Sequence, residues 1–294
     1  MTTQTRTTPR PAHHETDAAP AATATTHGGT TGTDGTDGLE TTLADLAATD
    51  LAHAPEDEVV DALEAMVAHV EFPCLGAKSV FRRGTVEHAV LDDMTDPAVP
   101  EQLLARLAAF ARSIDGQDGF HSFLATFRGP VAVDEAAFEA ALFDLLQRIH
   151  DADGGAWADG VGSEPDDPHF AFSAGGTAYF IVGLHPAASR VARRAPLPTL
   201  VFNPHAQFER LREEGRFDGM RTTIRRRDTE LQGFVNPMVA DHGDSTEAMQ
   251  YSGRRHDADW TPPLEVRQPT GERTTDSTTD STTESTTDQP GGDA

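Results

Sequence analysis

The stretch that organises this chain reads Phe72-Pro73-Cys74-Leu75-Gly76-Ala77-Lys78. Cys74 is the only cysteine among 294 residues, and Lys78 is the only lysine. A composition that avoids both residue types elsewhere has kept them within one heptapeptide. We therefore interpret residues 72–78 as a functional stretch, although a small buried thiol and an ordinary surface charge would produce the same pattern.

The residues on either side define the setting of this stretch. Residues 56–70 are typical of an amphipathic helix, because acids fill the first turn and Val59, Leu63 and Met66 share one face. Pro73 cannot continue a helix. Residues 79–91 are predicted to be β-like, with a turn at Gly84. Cys74 is therefore expected in a loop between a helix and a strand.

The rest of the chain alternates helices and strands without the regular spacing of βαβ units. The predicted helices cover residues 100–113, residues 134–150 with Asp134 as the N-cap, a short segment within 203–211, and residues 217–231. The predicted strands cover residues 120–127, 170–173, 177–184 and 197–202. This order predicts an α+β fold, a single domain with a mostly antiparallel or mixed sheet and packed helices.

Both ends of the chain differ in composition from its middle. Residues 1–54 are rich in Thr, Ala, Gly and Pro, and residues 267–294 carry a tandem acidic repeat of Thr, Asp and Ser. Such segments cannot bury enough apolar surface to offset the loss of chain entropy, so both tails are predicted to be disordered. The folded domain is expected to span residues 55–266.

The charge balance excludes several classes of protein. A net charge of -25 with almost no lysine indicates adaptation to high salt, as in halophilic proteins, although an ordinary acidic cytosolic protein with acidic tails would show the same balance. No basic stripe is available for nucleic acid. One cysteine rules out an intramolecular disulfide framework and a Cys-based zinc cluster. No apolar run is long enough to cross a membrane, and the N-terminus does not read as a secretory signal, so a cytoplasmic location is expected.

No Walker A, GxGxxG, HExxH or GxSxG motif is present. Two weaker constellations stay open. Cys74 could form a nucleophilic pair with His150, His185 or His205. Alternatively, His150, Asp153 and His205 could form a mononuclear iron site of two histidines and one carboxylate.

Two further features suggest a ligand. His150 lies at the end of a helix, beside its apolar stripe, where a histidine either binds a metal or haem or interacts with the helix dipole. Arg190, Arg193 and Arg194 form a dense run of positive charge in an acidic chain. Such a run is typical of a site for a carboxylate, a phosphate or haem propionates, although salt bridges to the many acids would explain it equally well.

Seven stretches in order carry a family resemblance. They are Phe72-Pro73-Cys74-Leu75-Gly76-Ala77-Lys78; Leu146-Gln147-Arg148-Ile149-His150 with Asp153 and Trp157; Phe170-Ala171-Phe172-Ser173; Gly183-Leu184-His185-Pro186; Ser189-Arg190-Val191-Ala192-Arg193-Arg194; Phe202-Asn203-Pro204-His205-Ala206-Gln207-Phe208; and Glu247-Ala248-Met249-Gln250-Tyr251-Ser252-Gly253-Arg254. Together they resemble the YqcI/YcgG family, which includes the haem-dependent N-hydroxylase of guanitoxin biosynthesis. The resemblance covers roughly residues 59–265.

The resemblance implies a b-type haem and O2-dependent hydroxylation of a guanidinium nitrogen on arginine or an arginine-like amino acid. His150 is the preferred axial ligand of the haem iron, with Asp153 orienting its ring. Cys74 is the alternative, because a thiolate ligand favours O–O cleavage. His205 ranks behind both, and His185 is the fourth candidate.

The same resemblance assigns roles to charged residues. Candidates for binding the haem propionates are Arg190, Arg193, Arg194 and Lys78. Candidates for binding the substrate are Glu247 and then Asp241 for the guanidinium group, with Tyr251 and Arg254 for the amino-acid end.

Other functions of the same fold are also possible. A non-catalytic haem-binding or haem-sensing protein would bind haem without turnover of a guanidine. A thiol enzyme based on Cys74 would bind no haem. For the hydroxylase, the expected partners are a small guanidino amino acid and an electron donor, either a ferredoxin or a flavin reductase.

Overall fold

A mixed five-stranded sheet forms the centre of the protein in a computed structural model that describes residues 38–234, 245–257 and 259–267. The strands are β1 (Val86–Asp93), β2 (Ser122–Gly129), β3 (Phe172–Ala174), β4 (Thr177–Leu184) and β5 (Thr199–Pro204). Their order in the sheet is β1-β2-β5-β4-β3. β1 and β2 run parallel, and the other neighbouring pairs run antiparallel.

Seven α-helices pack around the sheet within the described ranges. They are α1 (Leu39–Ala47), α2 (Glu56–Ala68), α3 (Leu75–Arg83), α4 (Val99–Ser113), α5 (Glu135–Ala152), α6 (His205–Glu213) and α7 (Phe217–Gln232), and two short 3-10 turns cover Val191–Arg193 and Glu247–Gln250. These helices and the mixed sheet confirm the predicted α+β class. Asp134 caps α5 as predicted, since its carboxylate accepts a hydrogen bond of 2.8 Å from the N–H of Ala137.

The folded part begins before the predicted boundary at residue 55. Helix α1 buries Leu39 and Leu43, which stand four residues apart and therefore share one helix face. The N–H of Leu39 donates a hydrogen bond of 2.7 Å to the carboxylate of Glu71. Residues 39–54 are thus part of the fold, although the Thr-rich composition of the N-terminal segment predicted a disordered tail. Residues 1–37 and 268–294 of the two predicted tails lie outside the described residues.

The prediction of a β-like segment directly after Cys74 was wrong for residues 79–83. These residues belong to α3, and only from Val86 onwards does the chain form a strand. Cys74 is the N-cap of α3, because its sulfur accepts a hydrogen bond from the N–H of Ala77. Gly84 ends the helix in the left-handed conformation, with φ of 63°, which glycine adopts without strain.

The two faces of the sheet have different surroundings, because successive side chains of a strand point to opposite faces. One face packs against α4 and α5 in the larger core. This face carries Phe123, Ala125, Phe127, Tyr179, Ile181, Leu200 and Phe202. The other face packs towards α2 and α3. It carries Leu124, Val182, Leu184 and Val201.

Gly183 provides a test of the packing between β4 and α5. A Cβ atom at this position would lie 2.7 Å from side-chain atoms of Leu142 and Phe138 and 2.8 Å from the carbonyl oxygen of Tyr251. We expect Gly183→Ala to lower the free energy of unfolding by about 1–3 kcal/mol, because the packed core must shift. The measurement is the midpoint of urea denaturation.

Gly219 in α7 is the matched control, because a Cβ atom there would meet nothing within 4 Å. Gly219→Ala should leave the midpoint unchanged or raise it, since alanine favours the helix over glycine by up to about 1 kcal/mol. An unchanged midpoint for Gly183→Ala would contradict this account of the packing.

Candidate functional site

A cavity of about 350 Å³ lies between the second face of the sheet and helices α2, α3, α6 and α7. Its volume falls within the range of small-molecule sites in proteins. Its apolar walls include Leu63, Met66 and Val67 of α2 and Leu124, Val182 and Val201 of the sheet. Aromatic and other apolar side chains line much of the rest, and polar and charged side chains line a smaller part of the cavity. This arrangement suits a ligand with an apolar body and charged groups.

The register of the sheet divides the wall into an apolar row and a more polar row. Leu124 and Val182 both pair with Val201, so these three side chains form the apolar row. In the next row, Ser122 donates a hydrogen bond of 2.7 Å to the side-chain oxygen of Asn203. The amide of Asn203 donates to the carbonyl oxygen of Phe180, 3.2 Å away. The cavity therefore becomes more polar towards the end of β5, where α6 begins.

Cys74 lines the cavity at the N-terminus of α3. Burial raises the pKa of its thiol, and the backbone N–H groups of Ala77 and Gly76 and the charge of Arg193 oppose that effect without overcoming it. The group is therefore a thiol in this state of the protein. A helix N-terminus also stabilises a thiolate, so a bound metal that displaces the thiol proton would find a suitable ligand here.

Two cations hold the turn that carries Cys74. The ammonium group of Lys78 donates to the carbonyl oxygens of Ala68, His69 and Val70 at the end of α2. Arg227 of α7 donates to the carbonyl oxygen of Val70 at 2.6 Å and to that of Phe72 at 3.0 Å. The last carbonyls of a helix carry partial negative charge and lack partners within the helix, so cations stabilise them. Lys78 thus supports the turn and does not line the cavity.

The three predicted arginines occupy different positions. Arg190 lines the cavity and forms a buried ion pair of 3.0 Å with Asp228. Arg193 also lines the cavity, but it donates to the carbonyl oxygens of Gly183 at 2.9 Å and Gln250 at 3.1 Å. Burial lowers the pKa of Arg193 to about 9, and the nearby Arg190 contributes in the same direction.

Arg194, by contrast, lies away from the cavity lining. It donates to the carbonyl oxygens of Ala188 and Ser189 and pairs with Glu40 of α1 at 3.1 Å. These bonds connect α1 to the loop after β4, which is a structural role.

Three further arginines, which the sequence analysis did not select, also line the cavity. Arg212 comes from α6, and Arg221 and Arg225 lie four residues apart on α7. The guanidinium of Arg212 lies 4.6 Å from the ring centroid of Phe217, and Arg221 pairs with Asp218 at 3.0 Å. The spacing of Arg221, Arg225 and Asp228 on one helical face was the pattern that could have indicated them.

A buried carboxyl group lies at the polar end of the cavity. Glu247 accepts a hydrogen bond of 2.7 Å from the hydroxyl of Tyr251. Its other oxygen lies 3.6 Å from Nε2 of His205, and Nδ1 of the same ring lies 3.7 Å from Glu209. Burial raises the pKa of Glu247 to about 8, although Tyr251 and Arg212 oppose the shift. The two distances show that both ring nitrogens of His205 face carboxyl groups, an arrangement that suits proton transfer.

The remaining predicted ligands lie elsewhere. His150 is not among the cavity-lining residues. Its Nε2 accepts a hydrogen bond of 2.9 Å from the N–H of Arg267, and its ring meets the ring edge of Trp157. The carboxylate of Asp153 accepts from the N–H groups of Gly155 and Gly175, so it does not orient the His150 ring as predicted.

His185 is buried outside the cavity lining, where its ring stacks on Phe138 with centroids 4.2 Å apart. Burial lowers its pKa to about 4, which keeps the ring neutral. Arg254 pairs with Glu139 at 2.8 Å and does not line the cavity. Tyr251 is buried, is not among the cavity-lining residues, and donates a hydrogen bond to the cavity residue Glu247. Asp241 lies outside the described residues.

Within the ranges that the structure describes, no three His, Cys, Asp or Glu side chains form a group that could hold a metal ion. His150, Asp153 and His205 are thus not brought together as the iron site considered above. None of the described helices combines the length and apolar character needed to cross a membrane.

Lys78 offers a test of how the turn is held. We expect Lys78→Met to lower the free energy of unfolding by about 1.5–3 kcal/mol, because the carbonyl oxygens at the end of α2 lose a charged donor. Arg82→Met is the matched control, since Arg82 is an exposed cation on the same helix. Chemical denaturation measures both, and equal stability of the two variants would contradict the supporting role of Lys78.

Comparison with known proteins gives one family and two relatives. The family model described as "YqcI/YcgG family" matches residues 63–265. The uncharacterized protein YqcI of Bacillus subtilis (strain 168) is 23% identical over 196 residues, which cover 65% of this chain and 74% of YqcI. The uncharacterized protein YcgG of the same organism is 24% identical over 189 residues, covering 61% of this chain and 75% of YcgG. No solved structure matches significantly.

Proposed function

The chain belongs to the YqcI/YcgG family, and we propose that it is a haem-dependent monooxygenase that N-hydroxylates the guanidinium group of arginine or an arginine-like amino acid. The observation that carries the proposal is a single cavity with four features of such a site. It has apolar walls, a cysteine at a helix N-terminus, arginines on α6 and α7, and a buried carboxyl group. We further propose that the enzyme works in the cytoplasm.

The cavity residues fit a b-type haem in kind. Apolar walls suit the macrocycle, and arginines suit its two propionates. One side chain that holds the iron would be enough for an oxygenase, which also needs room for O2. When bound, the haem would supply the reductive activation of O2 that transfers one oxygen atom to the substrate.

Cys74 would hold the haem iron in this proposal, ahead of the sequence-based preference for His150. Cys74 lines the cavity, whereas His150 packs beside Trp157 and bonds to the backbone at Arg267. A thiolate is also the ligand that favours O–O cleavage, the demanding step of a hydroxylation. His205 is less suited, because both of its nitrogens face carboxyl groups.

Opposite charges in the cavity suit an amino acid that carries a guanidinium group. Glu247 would pair with the guanidinium, since among the described residues it is the buried carboxyl group of the cavity for which no arginine lies at ion-pair distance. Arg212, which pairs with Glu209, and Arg221, which pairs with Asp218, line the cavity together with Arg225. These three arginines would hold carboxylates of the haem and of the substrate.

The overall reaction needs an external reductant. One N–H bond of the guanidinium becomes N–OH, and the second oxygen atom of O2 leaves as water with two electrons and two protons. A ferredoxin or a flavin reductase would supply the electrons. A thiol hydrolase is disfavoured, because burial raises the pKa of Cys74 and a nucleophilic cysteine needs a lowered one.

Absorption spectroscopy of the full chain, produced with a haem supply in high salt, tests the proposal. We expect a Soret band, and a carbonmonoxy band of the reduced protein at the position that marks thiolate ligation. Cys74→Ala should abolish or shift that band. His150→Ala is the matched control for the competing ligand and should leave both bands unchanged.

The opposite pattern, with His150→Ala altering the bands and Cys74→Ala leaving them intact, would overturn the assignment of Cys74. Folded protein that takes up no haem would overturn the oxygenase proposal. Haem binding without any hydroxylated product from arginine or its analogues would instead favour the non-catalytic haem-binding protein.

A further inference from the structure

We propose that Glu247 exchanges its proton for the guanidinium cation when the substrate binds, and that His205 is the route by which this proton leaves the cavity. The inference rests on the proposed substrate class and concerns what this chain's own residues do with it. Under this proposal Glu247 does more than bind the cation, because the cation can bind only when the proton of Glu247 leaves the site.

The geometry around Glu247 favours a neutral carboxyl group. The side chain is 16% exposed, and its hydrogen-bond partner is the hydroxyl of the buried Tyr251. The groups that face it from α6 are His205, Glu209 and Arg212, and the last two form an ion pair with each other. Burial therefore dominates, and it raises the pKa of Glu247 to about 8.

A guanidinium ion cannot gain an ion pair from a neutral carboxyl group. At pH 7 the binding of the cation therefore requires that about one proton leaves the site. The number of protons released for each cation bound is the same whether the proton came from the carboxyl group or from the guanidinium. Affinity should then rise about tenfold per pH unit up to about pH 8, the pKa of Glu247, and level off above it.

His205 connects the buried carboxyl group to the surface. Its Nε2 lies 3.6 Å from Glu247, and its Nδ1 lies 3.7 Å from Glu209, whose side chain is 46% exposed. Both distances exceed a hydrogen bond, so each proton transfer needs a small rotation of the ring or one bridging water. Because His205 is the first residue of α6 and directly follows β5, its backbone is held by both elements.

Each transfer conserves the proton. The carboxyl proton of Glu247 passes to Nε2, the proton on Nδ1 passes to the carboxylate of Glu209, and Glu209 releases it to solvent. Glu247 is left ionised beside the bound cation. The ring then returns to its starting tautomer by exchange with water, so the net change is one proton in solution for each cation bound.

Titration calorimetry of the haem-loaded full chain with L-arginine measures the exchange. Heats recorded at pH 7 in two buffers of different ionisation enthalpy give the number of protons released. We expect about one proton per arginine. L-Citrulline, the uncharged analogue of nearly the same shape, is the matched ligand and should release none.

Variants separate the exchange from simple binding. Glu247→Gln should bind arginine with about no proton release and with an affinity that no longer depends on pH. Glu213→Gln, an exposed substitution on α6, is the control and should match the wild-type protein. Arginine binding without proton release in the wild-type protein overturns the inference alone. Absence of arginine binding overturns it together with the proposed substrate.

The route through His205 has a kinetic test. After rapid mixing with saturating arginine, a pH-indicator dye should report proton release that is about 100-fold slower in His205→Phe than in the wild-type protein, and added imidazole should restore the rate. Glu209→Gln, a substitution near the surface, should also slow the release. Equal rates in all three proteins, including release too fast to follow, remove His205 from the route.

Discussion

The contact between cations and the carbonyl oxygens at the end of α2 determines where the cavity begins. Lys78 and Arg227 bind three consecutive carbonyls there and the carbonyl of Phe72. These donors allow α2 to end, the chain to turn at Pro73, and α3 to start at Cys74. The only lysine and the only cysteine of the chain thus belong to the same turn between α2 and α3. The lysine stabilises this turn, and the cysteine lines the cavity.

Charges inside the cavity are largely balanced, although the chain as a whole carries a net charge of -25. Arg190 pairs with Asp228, and Arg193 is bound to main-chain carbonyls. A buried charge without partners is costly, so burial favours the neutral form of Glu247 and raises its pKa.

The sequence predicted most elements of the fold but only part of the site. Helices α2, α4 and α5 and strands β2, β4 and β5 follow from local periodicity and capping. Helix α3 does not, because Val80 and Phe81 favour a strand locally while the helix depends on Lys78 contacting α2 across the turn. His150 was preferred for its place on a helix edge. The position of His150 on α5 does not show which face of the sheet this helix packs against. Helix α5 packs against the face opposite the cavity. The arginines on α6 and α7 were overlooked because the sequence does not show which face of each helix lines the cavity.

The most direct measurement of the central claim is mass analysis of the product formed from arginine under ¹⁸O₂ by the reduced, haem-loaded protein. The account predicts arginine that carries one added oxygen atom on a guanidinium nitrogen, with that atom derived from O₂, and no product when citrulline replaces arginine. Arginine recovered unchanged from protein that shows a complete haem spectrum, or a product whose added oxygen comes from water, would contradict it.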